Sequence, residues 1–248
     1  MIQLPDTVKV IEREGNKAKF EISPLMPGYG ATIANPLRRV LLSSLGGAAV
    51  TSIKIRGVEH QFSSMPGVME DLIEIILNVK KIRFKSFSDQ PVVVTLDYKG
   101  EGEVTAGDIK LPAEVEVINP EQHIATVSEK RTEFNMELTV EKGIGYVPTE
   151  QRQKDKLAIG VIAVDAIFSP VRNVNFTIDD IRVGQRIDYN RIILELETDG
   201  SISPEEAFKS AAEIIVNHFS VLGQIEIPEE PAKPAKKARK VKAVSPEI

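Results

Sequence analysis

Side chains that could support acid–base or metal chemistry are few in this chain of 248 residues. Its three histidines, His60, His123 and His218, have no second histidine or carboxylate at a spacing typical of a metal site. The sequence has no cysteine, which excludes disulfides, thiolate nucleophiles and cysteine-bound zinc or iron–sulfur centres. We therefore expect no metal site, no cofactor and no catalytic residue in this chain.

Two pairs of adjacent acids, Glu70-Asp71 and Asp179-Asp180, come nearest to a carboxylate dyad. Neighbouring side chains diverge on a helix and on a strand, so solvated acids are favoured over a general acid–base pair. The glycines of Lys142-Gly143-Ile144-Gly145 lack the third glycine and the Lys-Ser/Thr ending of a phosphate-binding loop, which favours a tight hairpin turn. No Asp-x-Asp-x-Asp cluster suited to two-metal nucleotidyl transfer occurs.

The pair Arg38-Arg39 indicates a different chemistry, the recognition of another protein. Apolar residues recur three and four positions apart around it, at Ile33, Leu37, Val40, Leu41 and Leu45. This period predicts a helix with one buried face. Adjacent helical positions point about 100° apart, so at least one arginine must leave the buried seam. Two interpretations remain open: solvated arginines, or a protein-binding face on which the planar guanidinium is favoured.

The first helix has sequence signals at both ends. Thr32 or Asn35 can cap its start, and Pro36 suits the first turn, where its missing N–H is not needed. Gly46-Gly47 is expected to stop the helix in the left-handed conformation.

Alternating patterns predict most of the other elements. Two strands are expected within residues 1–23, one strand over 49–56, and a second helix from Pro66 to about Lys81. Residues 84–170 are largely β in pattern, with an exposed polar loop at Thr149–Lys156, and strands are expected at 173–178 and 191–197.

A third helix has complete start signals. Ser203 can cap it, Pro204 suits the first turn, Glu206 completes a capping box, and Gly223 can end it. Its apolar stripe comprises Phe208, Ala211, Ala212, Ile215, Phe219 and Leu222. On the residues alone, the stripes of the first and third helices could fill an intrachain core or pack against a second copy in a C₂ dimer.

Several motifs keep a fixed order over residues 1 to about 225. They are Gly28-Tyr29-Gly30, Asn35–Ser44, Gly57–Phe62, Pro66–Asp71, Gly145–Pro148, Ser169-Pro170, Glu195–Gly200 and Pro204–Ala207. Together they closely resemble the family of bacterial RNA polymerase alpha subunits. The resemblance implies an α+β fold in which a discontinuous dimerisation domain, with helices on an antiparallel sheet, comprises residues 1–48 plus 167–227. An inserted β-rich domain would comprise residues 49–166, and residues 228–248 a disordered linker or tail.

The same resemblance implies a function. A homodimer would act as an assembly scaffold that recruits the beta and beta-prime subunits of DNA-directed RNA polymerase, with omega and sigma in the full complex. The chain would belong to a nucleotidyltransferase without carrying its catalytic residues. It would be cytoplasmic, and associated with the nucleoid through the polymerase.

The resemblance also assigns residues to interfaces. It places the beta contact at Arg39 and Leu42, and we include their neighbours Arg38 and Ser43. The dimer interface would use Ile33, Leu37, Val40, Leu41, Phe208, Ala211, Ala212, Ile215, Phe219 and Leu222. The beta-prime side would lie within 164–172, at Val164, Asp165 and Arg172.

The alternative function is that of a DNA-binding regulator. Residues 229–248 contain six basic residues against three acids, whereas the rest of the chain has 25 against 33. The acidic body is a poor partner for DNA, so any contact is expected to be indirect or made through the basic tail. Family members usually continue into a helical DNA-binding domain, so either this sequence is a truncated piece or the lineage lacks that domain. No apolar run approaches the roughly 20 residues that span a bilayer, so no membrane partner is expected.

Overall fold

The computed structural model describes residues 4–58, 60–152, 158 and 160–224. The helices are α1 (Tyr29–Ser43), α2 (Leu72–Val79), α3 (Thr149–Arg152) and α4 (Pro204–Leu222). The strands, in chain order, are β1 (Thr7–Glu14), β2 (Lys17–Leu25), β3 (Gly46–Ile55), β4 (Phe84–Ser86), β5 (Val92–Lys99), β6 (Gly102–Thr105), β7 (Ile109–Lys110), β8 (Val115–Val117), β9 (His123–Val127), β10 (Glu133–Ile144), β11 (Tyr146–Val147), β12 (Val161–Ala163), β13 (Ala166–Ile167), β14 (Val171–Val183) and β15 (Arg186–Thr198).

The first sheet joins the two ends of the described chain. Its four strands lie in the antiparallel order β1-β2-β15-β14. Ala18, Phe20 and Ile22 alternate with polar residues along β2, and all three are buried, as their period of two predicts. Helices α1 and α4 pack on this sheet, and Phe208 of α4 stacks on Phe20 with ring centroids 4.7 Å apart.

The second sheet is built from strands that lie between the two parts of the first. Its order is β7-β5-β10-β3-β4-β8, and β12 also pairs with β3. Phe134, Met136, Leu138 and Val140 of β10 are buried, as the alternation predicts, and α2 covers part of this core through Leu72, Ile75 and Val79. The predicted α+β class with a β-rich insertion is confirmed.

Two hydrophobic cores follow from this arrangement. One contains residues between Ala18 and Leu45 together with residues between Val171 and Ala211, and the other contains residues between Val50 and Val164. Ala49, Ala166 and Phe168 form a small third cluster between them in sequence. The domain boundaries at 48 and 167, and the naming of the outer part as a dimerisation domain, stay predictions, and the tail at 228–248 lies outside the described residues.

The start and the end of α1 differ from the prediction. Gly28, with φ +83°, is the N-cap residue and makes no side-chain cap, and Pro36 lies inside the helix. The side chains of Thr32 and Asn35 instead donate to backbone carbonyls one turn back, those of Gly28 and Ala31. At the other end the helix stops at Ser43, and Gly46 and Gly47 begin β3 rather than adopting a left-handed turn.

The second helix is shorter than predicted. Asp71 caps α2 by accepting a 2.8 Å hydrogen bond from the N–H of Glu74, so Pro66–Glu70 precedes the helix. That segment pairs instead with β9, because Val68 forms a bridge with Val127 and the N–H of Met69 donates to Thr126. A long-range backbone pairing thus overrides the apolar period that favoured a helix.

Three further expectations change in detail. Lys142, Gly143 and Ile144 continue β10, so the predicted hairpin turn there is wrong, and only Gly145 is left-handed, with φ +68°. Thr149–Arg152 forms one helical turn, whereas the rest of the predicted polar loop, 153–156, lies outside the described residues. The strands β14 and β15 are 13 residues each, longer than predicted. Among the described residues, no helix combines the length and the apolar character that crossing a bilayer requires.

Gly46 and Gly47 provide a matched test of backbone packing. A Cβ at Gly47 would collide with the backbone oxygen of Phe168, whereas a Cβ at Gly46 would lie 3.6 Å from the oxygen of Gly143, an ordinary contact. We expect Gly47→Ala to lower the free energy of unfolding by about 1–3 kcal/mol, because the backbone of residue 168 must move. Gly46→Ala should leave the free energy of unfolding unchanged or raise it slightly, because alanine lowers the conformational entropy of the unfolded chain. Urea unfolding measures both, and equal midpoints for the two variants would contradict the close packing.

Candidate protein interface

A side chain from the far end of the sequence holds the start of α1. The side-chain oxygen of Asn190, on β15, accepts hydrogen bonds from the N–H groups of Gly28 at 2.9 Å and Gly30 at 3.3 Å. Its amide nitrogen donates to Asp180 on β14 at 2.9 Å. Asn190 is buried, and a Cβ at Gly30 would approach Ile178 within 2.8 Å. Glycine therefore allows the helix to start against the β14–β15 hairpin.

This anchoring sets which side chains of α1 are exposed. Leu37 and Leu41 are buried in the core beneath the helix, whereas Arg38, Arg39, Leu42 and Ser43 are exposed, as the resemblance expects for a contact surface. We call these four residues the arginine face. Side chains four positions apart lie on the same side of a helix, so Arg38 is next to Leu42 and Arg39 is next to Ser43. The four residues therefore form one continuous patch.

The arginine face presents two exposed cationic groups. Within the described part of the chain, neither Arg38 nor Arg39 makes an ion pair or a side-chain hydrogen bond, and their side chains are exposed. Ser43 donates back to the carbonyl of Arg39 at 2.7 Å, so its hydroxyl is already satisfied by the helix. Leu42, 39% exposed, adds apolar surface beside the two guanidinium groups. Such a patch can bind a surface that presents carboxylates around an apolar pocket.

The residues predicted for the dimer interface divide into three groups. Leu37, Leu41 and Ala211 are buried in the core of the chain itself, so we leave them out of the dimer contact proposed below. Ile33, Val40, Phe208, Ala212 and Ile215 are half-buried. Phe219 and Leu222 are 61% and 69% exposed. The apolar stripes thus fill an intrachain core first, and only the last two turns of α4 leave large apolar side chains in the open.

The residues predicted for the beta-prime side do not form one surface. Val164 is buried within the chain and offers no side-chain surface for a contact. The carboxylate of Asp165 makes two contacts within the chain. It accepts a hydrogen bond from the N–H of Thr149 at 3.0 Å and forms an ion pair with Lys80 at 3.1 Å. The N–H of Thr149, together with Lys80, lowers the pKa of Asp165 below its usual value. Arg172 is exposed.

The structure contains a cluster of charged side chains that could not be predicted from the spacing of residues in the sequence. His123 lies between two carboxylates, with Nε2 2.9 Å from Glu70 and Nδ1 2.9 Å from Glu103. Although partial burial opposes both shifts, these contacts raise the pKa of His123, and the bonds from Thr126 and His123 lower the pKa of Glu70. The cluster fastens the segment before α2 to β9, so Glu70 is not the solvated acid that the sequence favoured. Its partner is 53 residues away, which explains why spacing could not find it.

The cluster does not have the form of a metal site. Each imidazole nitrogen faces a different carboxylate, and each distance is that of a hydrogen bond. In the ranges that the structure describes, no group of three or more His, Cys, Asp or Glu side chains is arranged to hold a metal ion.

Comparison with known proteins gives the family. Residues 53–169 match the model of the RNA polymerase Rpb3/RpoA insert domain. The chain is 54% identical over 200 residues to the DNA-directed RNA polymerase subunit alpha of Moorella thermoacetica, which covers 81% of this chain and 64% of that protein. It is 50% identical over 212 residues to the same subunit of Symbiobacterium thermophilum, covering 86% and 67%. Against the subunit of Salinibacter ruber it is 47% identical over 226 residues, covering 91% and 69%.

The chain belongs to the family of DNA-directed RNA polymerase alpha subunits. The resemblance found in the sequence motifs is therefore confirmed. The chain spans about two thirds of the length of these alpha subunits. The insert-domain match begins within β3 of the second sheet and ends at residue 169, between Phe168 and Pro170, just before the chain returns to the first sheet.

The hydrogen bonds of Asn190 can be tested by truncation. Asn190→Ala should lower the free energy of unfolding by about 2–3 kcal/mol, because two N–H groups at the start of α1 would lose their acceptor inside the protein. Asn175→Ala, on the exposed side of β14, is the matched control and should change stability by less than about 0.5 kcal/mol. Denaturant unfolding followed by circular dichroism measures both. Equal losses in the two variants would show that Asn190 does not support the helix.

Proposed function

We propose that this chain forms the homodimeric assembly scaffold of a DNA-directed RNA polymerase and recruits the beta and beta-prime subunits for DNA-templated transcription. The observation that carries the proposal is the arginine face, on a helix anchored at its start, with two exposed guanidinium groups that have no partner among the described residues. Family membership supports the assembly with larger subunits. The chain would then be part of a nucleotidyltransferase, with catalysis expected in the other subunits.

The arginine face is proposed to bind the beta subunit. Because the helix that carries it is already rigid, binding through an exposed arginine has to order its side chain but not its backbone. At the centre of an interface, arginine is over-represented among the residues that dominate the binding energy. Arg39 and Leu42 are the proposed centre of this contact, and Arg38 and Ser43 its neighbours.

Dimerisation is proposed to use the open end of α4. Val216, Phe219, Val221 and Leu222 are 61–69% exposed within the last two turns, a concentration of apolar surface that a second copy could cover. The half-buried Ile33, Val40, Phe208, Ala212 and Ile215 would widen the contact where they reach the surface. A two-fold dimer of this kind presents two copies of each face. One arginine face would engage beta, and the other copy would meet beta-prime.

The other proposed partners rest on fewer residues of this chain. Arg172 and the outer edge of Asp165 remain as the proposed beta-prime side, since both retain exposed surface. Omega and sigma are expected in the full complex. Because bacterial transcription takes place in the cytoplasm, we expect the protein there, at the nucleoid with its polymerase. The comparisons give no support to the alternative of a DNA-binding regulator, and the basic tail on which it rests lies outside the described residues.

The proposed dimer predicts a defined sedimentation behaviour. The purified chain should sediment as a dimer at micromolar concentration, and Phe219→Asp should raise the dimer dissociation constant at least tenfold, because a charge would enter an apolar contact. Val93→Asp is the matched control, since Val93 is 57% exposed on β5, away from α4. A well-folded wild-type monomer at that concentration would refute the dimer.

The proposed beta contact predicts a separable defect. Arg39→Ala should leave the dimer folded and intact but weaken capture of the beta subunit by about 2 kcal/mol, roughly thirtyfold. Arg131→Ala, at another exposed arginine in the second sheet's loops, is the matched control. Titration of labelled beta against the dimer measures the affinity, with sedimentation as the check on assembly. Capture at wild-type affinity by a folded Arg39→Ala dimer would refute the role of the arginine face.

A further inference from the structure

The two-stranded ribbon β11–β13 lies directly beside the C-terminal end of α1. The hydroxyl of Ser169, just after β13, donates to the backbone oxygen of Leu42 at 3.2 Å. On the other strand, a Cβ at Gly145 would lie 3.5 Å from the backbone oxygen of Ser43. The ribbon therefore contacts the helix at the two residues that end the arginine face.

The ribbon exposes large apolar side chains next to that face. Tyr146 and Ile167 are 57% and 39% exposed, and they are directly paired across the two strands. Residues paired in this way project from the same side of a ribbon. The neighbouring Ala166 and Phe168 are buried, so the alternation of the strands leaves only Tyr146 and Ile167 outside. Within the described part of the chain, the phenol of Tyr146 makes no hydrogen bond.

The ribbon is fixed in place from behind. The N–H of Phe168 donates to the backbone oxygen of Gly145 at 2.8 Å, and the Phe168 ring packs so closely on Gly143 that a Cβ there would lie 2.6 Å from it. Asp165 ties the segment before β13 to Lys80 and to the start of α3. Tyr146 and Ile167 are thus held exposed on a rigid support, which lowers the entropy lost when a partner binds them.

From this placement we infer that Tyr146 and Ile167 extend the arginine face into one surface for the beta subunit. The inference rests on the proposed function. It adds Tyr146, which the sequence did not assign to any contact, and it assigns to beta the side chain of Ile167, which lies within the stretch 164–172 that the resemblance placed on the beta-prime side. Two exposed guanidinium groups at one end and a Tyr–Ile pair at the other fit a partner with carboxylates beside an apolar pocket. Aromatic and arginine side chains together are the composition of an interface centre. Continuity with the arginine face, through Ser169 and Gly145, selects beta as the occupant.

The test compares capture of isolated beta by full-chain dimers. Tyr146→Ala and Ile167→Ala should each weaken binding about tenfold, whereas Tyr146→Phe, which retains the ring, should remain within about twofold of wild type. Val93→Ala, at an exposed apolar residue of β5, should bind as wild type does. Sedimentation and circular dichroism establish that each variant is a folded dimer.

A second measurement uses the wild-type protein, in case an alanine variant fails to fold. Hydroxyl-radical footprinting of the dimer with and without beta should show protection of Tyr146 on binding. Phe87, an aromatic residue 60% exposed outside this surface, should remain equally reactive. Unchanged labelling of Tyr146 in the complex would overturn the inference.

The outcomes separate the inference from the proposed function. If Arg39→Ala weakens capture while the ribbon variants and the footprint are unchanged, the ribbon is not part of the surface and the proposed function stands. If none of these variants weakens capture, both fall. If the ribbon variants dissociate the dimer rather than beta, the ribbon faces a second copy, and the assignment to beta is overturned.

Discussion

The start of α1, and with it the proposed interface, depends on one side-chain amide. The side-chain oxygen of Asn190 accepts hydrogen bonds from two N–H groups at the start of α1, which lie 160 and 162 positions away in the sequence, and its side-chain nitrogen donates to Asp180. The free N–H groups at a helix start carry partial positive charge and need acceptors, and the local sequence supplies none at Gly28. Because this contact sets where α1 begins, it also sets the rotation of the helix on its sheet. Leu37 and Leu41 then point into the core, and Arg38 and Arg39 point away from it.

The sequence predicts well those features whose causes are local. The β1–β2 hairpin, the strand alternation of β10 and the capping box of α4 all follow from neighbouring residues, and all are confirmed. The predictions are wrong where a residue far away in the sequence determines the local structure. The cap of α1 comes from Asn190 rather than Thr32 or Asn35, and Pro66–Glu70 pairs with β9 rather than extending α2. Propensity and period describe a segment by itself, so contacts 50 to 160 residues away cannot be derived from them.

The same reasoning explains the partial success at the candidate interface. An apolar stripe indicates burial but does not say whether the cover is the same chain or a second copy, and Leu37, Leu41 and Ala211 are covered by their own chain. The exposure of the arginine pair could be derived from helical geometry once the stripe was identified. The position of Tyr146 and Ile167 beside it could not be derived, since it depends on the packing of Phe168 on Gly47 and Gly143 and on the contacts of Ser169 and Gly145 with the end of α1. Those glycines were expected in turns, whereas in the fold they make room for a backbone and a ring.

Close packing at the junction of the two sheets has a consequence for binding. Besides Phe168, the junction contains Arg83, whose Nε lies 3.8 Å from a carboxylate oxygen of Asp199, and Asp199 in turn receives two hydrogen bonds from Ser201. Burial lowers the pKa of Arg83, and the charge of Asp199 opposes that shift, so the guanidinium remains the charged partner across the junction. A partner that spans α1 and the ribbon would therefore contact two elements already fixed relative to each other. Such a surface loses little backbone conformational entropy on association. Two arginines and a few apolar side chains can therefore give a higher affinity here than they would on two elements joined by a hinge, which would have to become ordered on binding.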